Sequence, residues 1–188
     1  SNKTQSADIN SRGSQHEAVL SIGGSYNEYI YTGISIGFPN IEYYERSTYS
    51  EDNFEDTING LEGFNYDQEL SVNGTGINIK AGVIVRASEQ FKIGATIHSP
   101  TFYEIEEVYS TSMTTYFSNE TYSEASPYNI FKYNLITPWK GILSTSTILN
   151  QNIIISADYE IVDYTFSEMS SDDYLFTNEN NAINNQFI

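Results

Sequence analysis

The sequence predicts an all-β chain of antiparallel strands running up and down, and three observations predict it. Period-two alternation recurs in segments rich in Ile, Val, Tyr, Phe and Thr, the residue types that suit a pleated surface. Connections between these segments alternate between short and long. The segments also exceed the roughly five or six residues common in soluble sheets. At 188 residues the chain has the length of one domain, and with no cysteine it has no disulfide framework and no thiolate chemistry.

Along the chain, residues 1–14 read as a polar lead-in. Ala18, Leu20 and Ile22 then share one face, with Glu17, Ser21 and Gly23 on the other. After a short turn at 27–28, Ile30, Ile34, Ile36 and Phe38 oppose Tyr29, Tyr31, Gly33, Ser35 and Gly37, and Pro39-Asn40 is expected to disturb the pairing. A long loop is expected over 45–62. Asn73-Gly74-Thr75-Gly76 is expected to interrupt the next strand with a bulge or a close backbone approach.

The clearest alternation follows. Ile77, Ile79, Ala81, Val83 and Val85 fall on one face, and Asn78, Lys80, Gly82, Ile84 and Arg86 on the other. A short turn at 87–90 leads to Phe91, Ile93, Ala95 and Ile97, which alternate with Lys92, Gly94, Thr96 and His98, and the strand is expected to continue past Pro100 to about Met113. A second long loop is expected over 114–129 and a long strand from Phe131 to Leu149. In that strand Trp139, Leu143 and Leu149 compete with Ile136, Ile142 and Ile148 for the apolar face. A short turn at 150–152 precedes Ile153, Ile155, Ala157, Tyr159 and Ile161, opposed by Ser156, Asp158, Glu160 and Val162. Residues 167–188 read as a polar loop of the long-connection kind. The Asn-rich end at Phe187-Ile188 and a start at Ser1 without an export signal read as an internal fragment.

Charge sharpens the class. With 8 Lys plus Arg against 25 Asp plus Glu, the net charge of −17 excludes a nucleic-acid or polybasic membrane-surface partner. Mean hydropathy is −0.40, and no apolar run approaches the roughly 20 residues of a transmembrane helix. A membrane barrel passes that test, because its strands turn only alternate residues to lipid. Of the 25 acids, 18 fall in 42–69, 104–124 and 168–179, where only Arg46 opposes them, so one rim is anionic. Charges in the clear strands occupy the less apolar face, where a barrel must put them. The 16 tyrosines, many at strand ends, suit a headgroup zone. The expected fold is an antiparallel up-and-down transmembrane β-barrel segment.

Three stretches resemble a known family. They are GTGINIKAGVIVRASEQFKIGATIHSPTFYEI (74–105), YNLITPWKGILSTS (133–146) and IISADYEIVDYTF (154–166). In order and spacing these are similar to the FadL/TodX-type outer-membrane transporters of hydrophobic compounds, in their Bacteroidetes branch, over about 15–167. The resemblance implies about seven strands of a barrel of about fourteen, monomeric when complete. It also implies passive uptake of long-chain fatty acids or aromatic hydrocarbons, with outer-membrane lipid and lipopolysaccharide as surroundings. It implies no cofactor and no enzymatic activity.

The candidate lumen-facing residues follow from strand parity: Lys80, Lys92, His98, Lys140, Asp158 and Glu160. Each has a bland reading beside the functional one. His98 is a polar filler as readily as a ligand contact, and the lysines can pair with Asp158 and Glu160 rather than a substrate carboxylate. The acidic loops match no EF-hand spacing, so no metal site is expected. Two other classes remain: a soluble or surface-attached β-sandwich used in binding or adhesion, and an outer-membrane hydrolase. The sequence carries no G-x-S-x-G, H-E-x-x-H or P-loop to support the second.

Overall fold

The computed structural model describes residues 3–54, 60–150 and 152–186. Ten strands form one sheet: β1 (Thr4–Tyr26), β2 (Ile30–Asp52), β3 (Leu61–Arg86), β4 (Phe91–His98), β5 (Phe102–Phe117), β6 (Thr121–Ala125), β7 (Asn129–Ile136), β8 (Lys140–Leu149), β9 (Ile153–Val162) and β10 (Glu168–Ser170). A single 3-10 turn (Tyr164–Phe166) and one helix, α1 (Thr177–Gln186), complete the described elements. The sheet runs β10-β7-β5-β3-β4-β8-β9, with β2 joining β1 to β3 and β6 beside β5. The pairs β3–β4, β4–β8, β8–β9, β5–β6 and β7–β10 are antiparallel. The fold is thus an all-β antiparallel sheet.

The chain divides into two compact units. One comprises residues 1–15, 41–74 and 105–132, and the other 16–40, 75–104 and 133–188. We call them the acidic unit and the alternating unit.

In the alternating unit the hairpin turns are tight because their residues tolerate the left-handed backbone. Asn27 and Glu28 have φ of 50° and 59°, and Tyr29 N–H donates to Tyr26 C=O at 3.1 Å, a two-residue turn whose twist matches the strands. Asn150 has φ 51°, and Asn152 N–H donates to Leu149 C=O at 3.2 Å. Gln151 of that turn lies outside the described residues. At 87–90 the Ser88 hydroxyl accepts from Phe91 N–H at 3.0 Å. Arg86 N–H donates to Tyr29 C=O and Ile148 N–H to Gln90 C=O, so these connections gather at one end of the unit.

The strand expected beyond Pro100 breaks at 99–101, and the one expected over 131–149 breaks at 137–139. Pro100 and Pro138 lack the N–H a ladder needs. Side chains repair the gap: Thr101 N–H donates to Thr137 Oγ1 at 2.9 Å, and Ile79 N–H donates to Ser99 Oγ at 2.9 Å.

The acidic unit corrects the loop expectations. The 1–14 lead-in is strand from Thr4, the 45–62 loop is strand to Asp52 and again from Leu61, and the 114–129 loop is largely β5, β6 and the start of β7. Residues 55–59 of the second lie outside the described residues. The reason is that alternation reports a buried face rather than strand itself. Here Tyr and Thr carry the strands, and polar cross-strand pairs replace apolar ones. Arg46 reaches Asp67 at 3.3 Å, Thr48 Oγ1 donates to Asp67 at 2.6 Å, Gln68 donates to Tyr109 at 2.7 Å, and the Tyr49 and Phe64 rings lie 6.0 Å apart.

At 73–76 β3 runs on without a break, and of the two roles expected of its glycines the close approach is the one seen. A Cβ on Gly74 would lie 2.6 Å from Ile41 within the acidic unit, and one on Gly76 would lie 2.8 Å from Tyr103 within the alternating unit. β2 continues through Pro39.

The 167–188 segment is also not a plain loop. Phe176 is buried against Tyr133 and Tyr174, with ring centroids 5.6 and 4.9 Å away. The Asn180 amide bonds both the N–H and the C=O of Met169 at 2.9 Å, in the manner of a strand partner for β10. That covers an edge which would otherwise offer free backbone groups.

Among the described residues the buried apolar side chains are Tyr103, Ile105 and Phe176. All ten strands belong to the one sheet.

Candidate functional site

The alternating unit is two-faced, and its registers say which residues share each face. Directly opposed residues of antiparallel strands point the same way. On one face Val85, Ile93, Thr145 and Ala157 form a row, as do Val83, Ala95, Leu143 and Tyr159, and then Ala81, Ile97, Gly141 and Ile161. The competition in 131–149 is thereby settled from the hydrogen-bond ladder: Leu143 and Leu149 lie on the apolar face, and Ile142 and Ile148 on the other. Ile97 is 57% exposed, Leu143 54% and Tyr159 65%. Fully burying an apolar side chain is worth about 1.5–3 kcal/mol, so each one left half in water forgoes about half of that. Several together rival the whole stability of a domain, about 5–15 kcal/mol.

The opposite face holds the polar rows. Lys80, His98, Lys140 and Val162 lie directly across from one another. Parallel to them run Gly82, Thr96, Ile142 and Glu160; then Ile84, Gly94, Ser144 and Asp158; then Arg86, Lys92, Ser146 and Ser156. All six residues named from parity, Lys80, Lys92, His98, Lys140, Asp158 and Glu160, share this face. They do not converge on one point. Lys140 pairs with Glu160 at 3.4 Å, while Asp158 and Lys92 stand in separate rows opposite serines.

Sequence reasoning did not find the tightest contact. Glu17 on β1 holds the Lys80 ammonium through both carboxylate oxygens, at 2.7 and 2.9 Å, and accepts from Asn78 Nδ2 at 2.8 Å. Asn78 also reaches Thr101 Oγ1 at 3.4 Å, and it is buried, only 7% exposed. The Glu17 carboxylate crosses Gly37 of β2 to make these bonds. A Cβ there would collide with Glu17 and sit 2.7 Å from Asn78 Oδ1. The available signal was parity: Glu17 shares a face with Ser21 and Gly23, and Gly37 with Gly33 and Ser35.

Where β4 yields to β5 and β7 to β8, the alternating unit contains a recess of about 730 Å³. Phe38, Ile77, Phe102, Leu135 and Ile136 line it, together with Tyr103 and Glu104. A volume of this size is that of a small-molecule pocket, and its lining is apolar with few polar groups. Among the described residues no group of three His, Asp or Glu is placed to hold a metal ion.

In the acidic unit, the Tyr49 hydroxyl and then the Gln5 amide, each donating at 2.5 Å, hold the Glu51 carboxyl below its ordinary value. The same contact raises the Tyr49 phenol. Between the first part of β5 and β7, the Glu106 carboxylate 2.8 Å away raises the Lys132 ammonium. These are solvent-facing pairs that order side chains along the strands.

No protein-family model matches the chain, and no curated protein matches it. Among solved structures, a KdgM porin aligns over 89% of this chain and 99% of its own, at 7% identity and a TM-score of 0.14. At that score the alignment carries no argument about this protein.

Proposed function

We propose that this chain forms part of the wall of an outer-membrane β-barrel that passes hydrophobic small molecules passively down their gradient. The observation that supports it is the two-faced register: three parallel apolar rows lie exposed on one face, and charged and small residues lie behind them. The strands that carry these rows, β3, β4, β8 and β9, have 26, 8, 10 and 10 residues. A tilted strand needs about 9–11 to cross the hydrocarbon. A β-sandwich would set the apolar rows against a second sheet, and no such layer exists among the described residues.

The chemistry required is modest. Acyl tails take the apolar face, the polar face lines a protein-walled path, and the apolar recess gives a hydrophobic solute a place to rest. No cofactor or covalent step enters, and the surrounding partners are outer-membrane lipid and lipopolysaccharide. The test is uptake. Vesicles carrying the full-length protein should take up a fluorescent long-chain fatty acid several-fold faster than empty ones, while their permeability to a small sugar stays at background. Sugar flux without fatty-acid uptake would replace this reading with that of an aqueous pore.

A further inference from the structure

The recess of the alternating unit opens on the apolar face. Ile77 shares parity with Ala81, Val83 and Val85 along β3. Gly37 and Gly76 belong to the polar face, since a Cβ on Gly37 would meet Asn78 and Glu17, and one on Gly76 would meet the Tyr103 ring. Phe38, next to Gly37, and Phe102 and Glu104, either side of Tyr103, therefore point the other way. Phe38, Ile77 and Phe102 are about half exposed. Glu104 is the exception in this lining: an exposed carboxylate that, among the described residues, forms no hydrogen bond or ion pair. Glu168, directly opposite Ile136, adds a second carboxylate beside the recess. No basic side chain lines it, and Lys80, Arg86, Lys92 and Lys140 all lie on the polar face. A carboxylate among acyl tails is costly unless a cation meets it.

We infer that the recess holds a bilayer lipid whose head group carries a primary ammonium. The ammonium donates to the Glu104 carboxylate, a charge-assisted bond that offsets the exposed acid. Asn134 and Ser170, directly opposed across β7 and β10, and Asn40 give the rim amide and hydroxyl donors for the lipid's phosphate and ester oxygens. An acyl chain lies along Phe38, Ile77, Phe102 and Ile136, in a recess whose volume and apolar lining suit one. A head group of net negative charge would instead meet two carboxylates. This inference rests on the transport reading's assignment of the apolar face to lipid. The lipid is the resident that a hydrophobic solute displaces from the recess.

The test offers the full-length protein in detergent an equimolar mixture of dioleoyl phosphatidylethanolamine and dioleoyl phosphatidylglycerol and reads the retained lipid by native mass spectrometry. The wild type should keep the ethanolamine lipid about tenfold or more over the glycerol lipid, as a hydrogen bond between charged groups allows. Glu104→Gln, which keeps the bulk and removes the charge, should bring the two lipids to parity. Glu89→Gln, which removes one charge from the turn at 87–90, should leave the preference intact and so separates a local contact from the protein's net charge. If Glu104→Gln fails to give the heat-modifiable gel shift of an assembled barrel, Glu104→Asp withdraws the carboxylate by one methylene and should weaken the preference several-fold. Equal retention of both lipids by the wild type, or a preference that survives at Glu104 or is lost equally at Glu89, would overturn the inference and leave the transport reading standing. A protein that binds neither lipid and stays monodisperse without detergent would overturn both.

Discussion

Leu143→Arg should prevent assembly in a bilayer, whereas Ser144→Arg, one residue along the same strand, should not. Leu143 lies in the row Val83, Ala95, Leu143, Tyr159 and is half exposed, with only apolar or small neighbours across both adjacent strands. An arginine there would face hydrocarbon and cost about 2–4 kcal/mol near the bilayer midplane. That corresponds to a loss of about thirty- to a thousand-fold in the folded population. Ser144 points the opposite way, between Gly94 and Asp158. A guanidinium there finds room beside the glycine and a carboxylate across the strand. Denaturant titration of the two full-length variants in lipid vesicles, read by the heat-modifiable gel shift, checks the pair. Equal losses, or a larger loss at Ser144, would reverse the assignment of the faces.

The second large effect is expected at Gly37. Its missing side chain lets the Glu17 carboxylate cross β2 to Asn78 and Lys80, so Gly37→Ala should displace that carboxylate and leave Asn78 buried without its acceptor. Glu17 and Lys80 are about three-quarters buried, at 28% and 26% exposure. Such a pair lies between the weak surface case and the costly fully buried one, and a loss of about 1–3 kcal/mol is expected. Gly33→Ala is the control. It lies on the same strand and face, its added Cβ would meet only a backbone oxygen at 3.6 Å, and it should change stability by less than about 1 kcal/mol. Adding Glu17→Gln to Gly37→Ala should cost little more than Gly37→Ala alone. Unfolding free energies for Gly37→Ala, Gly33→Ala, Glu17→Gln and the Glu17→Gln/Gly37→Ala pair test it, and additive losses would show that Gly37 and Glu17 act independently.

What the sequence made legible follows from what the pattern measures. Alternation over 77–86, 91–98 and 153–162 is plain because one face there is consistently oily, and the hydrogen-bond ladders align those residues row by row. The strands of 4–14, 45–52 and 121–125 were invisible because neither of their faces is apolar. Their order rests on contacts such as Thr48 with Asp67 and Thr114 with Ser123, which hydropathy does not encode. The break at Pro138 hid the face of Leu143, since the strand restarts at Lys140 and parity does not carry across a gap. Of the site, Lys80, Lys92, His98, Asp158 and Glu160 could be placed on a face from parity, whereas Lys140 sits in the strand whose face the Pro138 break hid. Which of them meet could not: Glu17 and Lys80 are 63 positions apart, and their contact depends on a glycine on the strand between.

The most direct measurement of the faces is a nitroxide scan of residues 81–86 in the full-length protein reconstituted in lipid, comparing collision with oxygen, which favours hydrocarbon, and with a water-soluble nickel chelate. Labels at Ala81, Val83 and Val85 should favour oxygen, and those at Gly82, Ile84 and Arg86 should not, with a period of two residues. Contradiction would be a flat profile, or nickel access at Ala81, Val83 and Val85, since either would mean that the apolar rows do not face lipid.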